Sequence, residues 1–182
     1  MNSIHNDIQE ILYTEEDLKK IVSDMGQKIA KDYEGKQLFL LSVLKGSIVF
    51  MADLIRAIDL PCEIDFMAVS SYGAGVSTSG QVRVLKDVGT SLEGKDVLVV
   101  EDILDSGVTL SYLMKHLEAH KPQSIRLCTL LDKPTRRKVN IKADYIGMEC
   151  PDAFIVGYGL DYAERYRNLP YIGALSPRIY EK

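Results

Sequence analysis

The sequence predicts an α/β fold in which helices flank a mainly parallel, twisted sheet. Short apolar runs typical of buried strands alternate with segments of helical spacing, as right-handed β-α-β crossovers require. The 182 residues suffice for one good core, and no repeat or Pro-rich linker divides them, so we predict a single domain, 1–182. Because ligands of such sheets bind at the carboxyl ends of strands, a site is expected in the loops after Val43, Val100 and Leu131.

The individual elements follow from local patterns. Thr14 is predicted to cap the first helix, with Asp17 three positions on as the acid of a capping box, and Gly35 can end this helix. Apolar residues at helical spacing predict further helices at 48–58 and 108–120. Apolar runs and alternation predict strands at 38–43, 62–68, 81–86, 97–100, 124–131, 145–148 and 154–156.

Composition excludes several classes of protein. The net charge is −4 and the pI is about 5.4, so no broad basic surface favours nucleic acid or anionic lipid. No apolar run approaches the roughly 20 residues of a membrane span, and the N-terminus has no secretory signal. The three cysteines are odd in number and form no C-x-x-C pair, which indicates reduced thiols and a cytoplasmic protein.

One loop carries most of the functional signal. Residues 97–110 read VLVVEDILDSGVTL, an apolar strand followed by a polar turn into a helix. The positive end of that helix is a potential anion site, where the hydroxyls of Ser106 and Thr109 add donors. Gly107 lets the backbone approach a phosphate closely. The alternative is a plain turn in which Asp105 or Ser106 only caps the helix.

Two carboxylates, Glu101 and Asp102, stand just upstream of this turn. They would repel a polyphosphate, so we expect them to face a hydroxyl-rich neutral group or a divalent cation. A sugar diol joined to one phosphate satisfies both halves of the loop. Ribose 5-phosphate is the commonest group of this kind.

The segment 101–110 resembles the signature of the type I phosphoribosyltransferases, and the whole chain resembles the hypoxanthine/guanine phosphoribosyltransferases among them. Four further blocks match in order and spacing over roughly residues 40–170: Leu44-Lys45-Gly46, Ser71-Tyr72-Gly73, Asp132-Lys133, and Pro151-Asp152-Ala153-Phe154 through Asp161 to Arg167. The resemblance implies the fold of that family, with a small hood formed by the N-terminal and C-terminal segments. It also implies a Mg²⁺-dependent enzyme that converts hypoxanthine and guanine plus 5-phosphoribosyl 1-pyrophosphate to IMP and GMP plus pyrophosphate.

The resemblance assigns roles within the central loop. Asp105 would be the general acid/base at N7 of the purine, where a proton must be managed as N9 attacks. Glu101 and Asp102 would bind the ribose hydroxyls and the associated Mg²⁺. The 5-phosphate would be bound by the residues of the turn, namely Ser106, Gly107, Val108 and Thr109, with Asp105 at their start.

The resemblance also implies a pyrophosphate site. Lys45 and Gly46 would bind the leaving group, helped by Arg167, and the peptide bond between Leu44 and Lys45 is often cis in the family. By itself, Lys45 would be a solvated loop lysine.

The purine site is implied by the C-terminal blocks. Lys133 would donate to the 6-oxo group and disfavour the 6-amino group of adenine. Phe154 would stack on the base, and the backbone at Ile155 would read its edge, although such a Phe is otherwise typical of a core. Asp161 would lie beside the base and bind a second Mg²⁺, and its alternative role is a cap.

A lid is predicted at residues 70–80, which are almost all Ser, Gly, Thr and Ala and cannot build a core. The resemblance implies that Ser71 and Tyr72 close over the reacting centre and exclude water. It also implies a homodimer or homotetramer.

Competing interpretations stay open at this point. A sibling enzyme could act on xanthine or adenine, of which Lys133 argues against adenine. A regulator of the same fold could bind RNA or DNA and sense phosphoribosyl pyrophosphate, against which the acidic balance argues. His116 and His120 lie four apart on one helix with no third ligand beside them in the sequence, so we predict an exposed helical face there.

Overall fold

The computed structural model describes residues 3–71 and 82–181. Its strands are β1 (Ile8–Tyr13), β2 (Leu38–Leu44), β3 (Glu63–Ser71), β4 (Val82–Lys86), β5 (Asp96–Leu104), β6 (Ser124–Asp132), β7 (Tyr145–Glu149), β8 (Ile155–Val156) and β9 (Ile172–Leu175). Its α-helices are α1 (Glu15–Asp32), α2 (Ile48–Ala57), α3 (Val108–Glu118) and α4 (Pro177–Tyr180). No helix within these residues is long and apolar enough to cross a membrane.

The main sheet has six strands in the order β4-β3-β2-β5-β6-β7. All neighbours are parallel except β3 and β4, which pair antiparallel at one edge. The predicted α/β class with a mainly parallel sheet is therefore confirmed. The register aligns Ser42 with Val100 and Val100 with Cys128, so the carboxyl ends of β2, β5 and β6 meet at one edge of the sheet.

Strand β5 is longer than the predicted 97–100. It continues to Leu104 because pairing with β6 extends through Glu101 opposite Thr129 and Leu104 opposite Asp132. The apolar pattern stops at Glu101, but the backbone hydrogen bonds of the ladder do not. Glu101 and Asp102 are thus strand residues, and the loop itself is only residues 105–107.

The two faces of the sheet are covered by different helices. Successive side chains of a strand point to opposite faces. In β2, Leu40 belongs to the cluster packed under α1 and α2, whereas Phe39 and Leu41 belong to the cluster under α3. Each fully buried Leu or Phe contributes about 1.5–3 kcal/mol to folding. The helices thereby hold the sheet edge that carries the polar loops.

The first helix begins as predicted. The Thr14 hydroxyl accepts from the Asp17 N–H at 3.2 Å, and the Asp17 carboxylate accepts from the Thr14 N–H at 2.9 Å, which completes a capping box. The helix ends at Asp32, earlier than predicted, and Gly35 takes a left-handed φ of +75° in the following turn.

The terminal segments form a second sheet, in the order β1-β9-β8. Antiparallel pairing aligns Ile8 with Leu175 and joins the two ends of the chain. The family resemblance implies that these segments form a hood, but the sequence pattern did not predict their strands. Because β8 leads into the segment 157–169, the second sheet positions the C-terminal site residues.

Candidate active site

The turn between β5 and α3 has the geometry of an anion site. Gly107 is the first capping position of α3 with φ +77°, and no side chain in the described part of the chain caps this helix end. The Val108 N–H has only a long contact of 3.4 Å with the Ser106 hydroxyl. A side chain at Gly107 would lie 2.5 Å from Ile141, so glycine is required by space as well as by backbone conformation. The free N–H groups can therefore face a ligand.

Arg137 holds this turn in place through hydrogen bonds to its backbone. The sequence patterns did not predict this role. Its guanidinium donates to the backbone oxygens of Leu104 at 3.2 Å and Asp105 at 3.0 Å, and it pairs with Asp132. These bonds hold the end of β5 against the end of β6. The only hint in the sequence is a basic run after Lys133, which has no distinctive spacing.

Asp105 presents an unsatisfied carboxylate oxygen. Its Oδ1 is buried and has no hydrogen-bond partner among the residues that the structure describes. Such an atom costs free energy unless a ligand or water satisfies it. Burial raises the pKa of the nearby Cys150 thiol, while Lys133 lowers it and Asp105 raises it, so all three groups share one electrostatic environment.

Glu101 and Asp102 are neighbouring carboxyl groups whose charged forms are destabilised by burial. Burial, followed by the charge of Asp102, raises the pKa of Glu101 well above its usual value. Burial raises the pKa of Asp102 to about 6, although the Ile103 N–H and Arg167 act in the opposite direction. Carboxylates in this state gain from a cation, which makes them suitable ligands for a hard divalent metal.

The loop after β2 lies directly against these acids. The peptide bond between Leu44 and Lys45 is cis, in agreement with the family pattern. A side chain at Gly46 would lie 1.8 Å from Asp102 Oδ2, and one at Gly159 would lie 2.0 Å from the Gly46 oxygen. Gly46 is thus enclosed between the end of β5 and the segment after β8, and both contacts require glycine.

Arg167 ties the C-terminal segment to this loop. Its guanidinium donates to the Gly159 oxygen at 2.8 Å and pairs with Asp161 at 2.9 Å. Glu164 lies 3.5 Å from the same guanidinium and 3.1 Å from the Lys45 ammonium. Both predicted pyrophosphate cations therefore share one carboxylate, Glu164, which sequence reasoning missed. The Arg167 Nε is buried and has no partner within the described residues.

Asp161 is placed differently from Glu101 and Asp102. Its carboxylate accepts from the Glu164 N–H at 2.9 Å and pairs with Arg167. Among residues 3–71 and 82–181, the three acids predicted to bind metal do not converge into one compact cluster.

Lys133 lies buried at the carboxyl end of β6, only 4% exposed. Its ammonium donates to the Ala153 oxygen at 3.0 Å and pairs with Asp152 at 3.1 Å. Asp152 also pairs with Arg136 at 3.1 Å. Because an ammonium has three donors, one remains for a further acceptor.

Phe154 belongs to an aromatic group at the hood. Its ring, 41% exposed, stacks on Tyr180 with centroids 5.0 Å apart, and the edge of Tyr162 lies 5.3 Å away. Ile155 is buried in β8 and pairs with Ala174. Sequence reasoning missed both tyrosines, since neither has a characteristic spacing from Phe154.

The predicted lid lies mostly outside the described residues. Strand β3 reaches Ser71, whose backbone pairs with Val82 at the start of β4. Tyr72 and the rest of the predicted loop fall between these two positions. The two strands place the ends of that loop at the carboxyl end of β3.

A separate cavity of about 620 Å³ lies between α1, α2 and the segment 167–170. It shares Arg167 with the candidate site, but neither the anion-binding turn nor Lys133 lines it. Most of the predicted site residues therefore lie at the edge of the sheet and not in this cavity.

The fold and site together define an α/β protein with a potential anion site where parallel strands end. A family model described as phosphoribosyl transferase domain matches residues 9–163. The hypoxanthine-guanine phosphoribosyltransferase of Bacillus subtilis is 54% identical over 176 residues, covering 97% of this chain and 98% of that protein. That of Staphylococcus aureus is 52% identical over 177 residues, covering 97% and 99%.

Solved structures agree with the sequence relatives. The crystal structure of a hypoxanthine phosphoribosyltransferase from Staphylococcus aureus matches with a TM-score of 0.95 and 52% identity, covering 100% of both chains. A hypoxanthine-guanine phosphoribosyltransferase from Bacillus anthracis matches with a TM-score of 0.88 and 50% identity, covering 92% of this chain and 99% of that one. The chain belongs to the phosphoribosyltransferase family, in the group of the hypoxanthine-guanine enzymes.

Proposed function

We propose that the protein transfers the 5-phosphoribosyl group of phosphoribosyl pyrophosphate to hypoxanthine and guanine, forming IMP and GMP in purine salvage. The relatives named for this reaction are similar over nearly the whole chain. The observation that carries the proposal is the buried side chain of Lys133, whose backbone N–H donates to the Leu104 oxygen at 3.0 Å, directly before the anion-binding turn.

The phosphoribosyl group is proposed to bind along the β5–α3 turn. Its 5-phosphate would accept from the free N–H groups at the start of α3 and from the hydroxyls of Ser106 and Thr109. The ribose hydroxyls would face Glu101 and Asp102, and the pyrophosphate would lie toward Lys45 and Arg167. In this orientation the carboxylates face neutral hydroxyls, and the cationic side chains face the negatively charged pyrophosphate.

Magnesium is the proposed cofactor, and the acids present are suited to it. Glu101 and Asp102 are carboxylates with pKa values raised by burial, which a hard divalent cation would relieve. Asp161 is proposed to hold a second ion, partly through water. When bound, Mg²⁺ supplies positive charge that offsets the charge of the departing pyrophosphate.

Asp105 is proposed as the general acid/base. Its unpartnered Oδ1 would accept the proton of the purine at N7 while N9 forms the bond to the ribose carbon. Lys133 would donate to the 6-oxo group, which has an acceptor where adenine has a donor. Phe154 would cover a face of the base, and the Ile155 backbone would contact its edge.

Further properties are proposed with the activity. Ser71 and Tyr72 are proposed to close a lid that keeps water from the reacting carbon, which water would otherwise capture. The protein is proposed to be one domain that assembles as a homodimer or homotetramer in the cytoplasm. Its three cysteines are free, which suits a reducing compartment.

The test is a Mg²⁺-dependent assay of phosphoribosyl pyrophosphate with hypoxanthine, guanine, xanthine and adenine in parallel. Formation of IMP and GMP, with adenine inactive, supports both the transfer and the role of Lys133. Equal turnover of adenine would overturn the assignment of Lys133. No turnover of any base would overturn the proposed substrates.

A further inference from the structure

A group of potential metal ligands lies on the surface, away from the residues of the proposed catalytic site. Asp87, His116 and His120 each offer one ligand atom, and these atoms all lie within 4.8 Å of one another. Asp87 directly follows β4, and His116 lies in the last turn of α3. The sequence shows no third ligand beside the two histidines, but the fold brings Asp87 to them from 29 residues away.

The local geometry holds all three side chains toward one point. The Asp87 Oδ1 accepts from the Val88 N–H at 2.8 Å, while its Oδ2 lies 2.9 Å from His116 Nε2. The backbone N–H of His120 donates to the Leu117 oxygen at 3.0 Å, so the helical turn continues past the end of α3. His120 therefore lies on the same side of the helix as His116. The ring of Tyr112 lies nearly parallel to that of His116, at 9°.

The simplest alternative is an ordinary surface ion pair. Asp87 and His116 would account for such a pair without His120. His120 adds a second imidazole, whose ring centroid lies 5.2 Å from that of His116. The ion pair between Asp87 and His116 forms without this second ring, whereas a site with three protein ligands uses all three side chains.

We propose that Asp87, His116 and His120 bind a divalent transition metal of the Zn²⁺ type. Two imidazoles and one carboxylate are preferred by Zn²⁺, Ni²⁺ and Cu²⁺, and not by Mg²⁺. Bonds of about 2.0–2.2 Å in a tetrahedral site place the ligand atoms roughly 3.3–3.6 Å apart. Asp87 and His116, now 2.9 Å apart, would separate slightly, and the third ligand atom already lies within 4.8 Å of both. Asp87 is 42% exposed, which leaves a fourth position open to water.

The bound metal would join the segment between β4 and β5 to the end of α3, two elements that also pack together through Leu92 and Leu113 in the core. Asp87 begins the segment between β4 and β5, and the histidines lie at the end of α3 opposite its anion-binding turn. A ligand that binds the folded state and not the unfolded chain stabilises the fold. Zn²⁺ is therefore expected to raise the Tm of the metal-free protein.

The experiment is a Zn²⁺ titration of metal-free, full-length protein in competition with a chromophoric chelator. Excess Mg²⁺ and a non-thiol reductant are present throughout, so that carboxylate sites are occupied and the cysteines stay reduced. The variants are His120→Gln and Asp87→Asn. His5→Gln is the matched control, because His5 is the one other histidine of the chain.

Wild type and His5→Gln should bind one equivalent of Zn²⁺. Both test variants should bind it at least about tenfold more weakly, because loss of even a ligand's hydrogen-bond partner lowers metal affinity by about 10–100-fold. Zn²⁺ should also raise the Tm of the wild type and the control but of neither test variant. Equal Zn²⁺ affinity in wild type and His120→Gln overturns the proposal. So does a Zn²⁺-dependent rise in Tm that survives His120→Gln, or the absence of saturable binding to the wild type.

Discussion

Glu164 lies 3.1 Å from the ammonium of Lys45, and its carboxylate thereby neutralises a cation that is proposed to bind pyrophosphate. The same carboxylate lies 3.5 Å from Arg167. It therefore offsets the positive charge of both side chains that are proposed to bind the leaving group. Lys45 also lowers the pKa of Glu164, so this acid is ionised at neutral pH. In the proposed binding mode, pyrophosphate would have to displace Glu164 to contact both cations.

Glu164→Gln should therefore tighten the binding of pyrophosphate. The side chains of Lys45 and Glu164 are both 65% exposed, and exposed ion pairs contribute little, so we expect inhibition by pyrophosphate to strengthen only roughly two- to fivefold. The KM for phosphoribosyl pyrophosphate should fall in parallel. Glu63→Gln, which breaks the distant pair with Lys95, is the control and should change neither constant. Weaker inhibition would show that Glu164 assists binding.

Asp105→Asn should abolish most turnover and spare substrate binding. The amide cannot accept the N7 proton, and loss of a general base lowers rates by about 10²–10⁴-fold. The shape of the turn is retained, because Arg137 contacts the backbone oxygen of Asp105 and not its side chain. Steady-state kcat and the Kd for phosphoribosyl pyrophosphate are the measurements, with exposed Asp59→Asn as the control. A normal kcat would remove Asp105 from this role.

Lys133→Met should lower kcat/KM for hypoxanthine and guanine by about 10- to 150-fold, the value of one hydrogen bond from a charged donor. Met retains the length and apolar stem of the side chain, so the packing of this buried position changes little. The KM for phosphoribosyl pyrophosphate should stay within error. Lys142→Met, at an exposed position, is the control. An unchanged ratio between oxopurines and adenine would contradict the assignment.

Asp102 should make the stability of the ligand-free protein depend on pH. Burial raises its pKa from 3.8 to about 6, so between these values the folded state holds more protons than the unfolded chain. Stability then falls as pH rises from about 4 through about 6, and Asp102→Asn removes this loss. The variant should have the higher Tm near pH 8 and no advantage near pH 4. Thermal unfolding across pH measures this, and a difference that is constant with pH would contradict it.

The sequence predicted much of this site, because its motifs lie in continuous segments. The turn at Gly107, the loop at Lys45 and the buried position of Lys133 each follow a recognisable run of residues, and the structure places them at one edge of the sheet. The end of β5 was predicted wrongly at Val100, because polar residues interrupt the apolar pattern while the ladder to β6 continues.

The partners of the site residues could not be predicted from local pattern. Glu164 reaches Lys45 across 119 positions, and Ile8 pairs with Leu175 across the whole chain. No periodicity or spacing encodes such contacts, which depend on how distant elements pack. The same limit applies to Asp87, which meets His116 only in the folded chain.

Tyr180 should help to position the base through Phe154. The two rings stack at a centroid distance of 5.0 Å and 25°, and such a pair contributes about 0.5–1.5 kcal/mol. Tyr180→Ala frees the ring of Phe154, so the KM for hypoxanthine should rise roughly two- to twelvefold while the KM for phosphoribosyl pyrophosphate is unchanged. Tyr180→Phe keeps the stacked ring and should behave as wild type. If Tyr180→Ala lowered the KM for the base while Tyr180→Phe did not, the ring of Tyr180 would instead be competing with the purine for the face of Phe154.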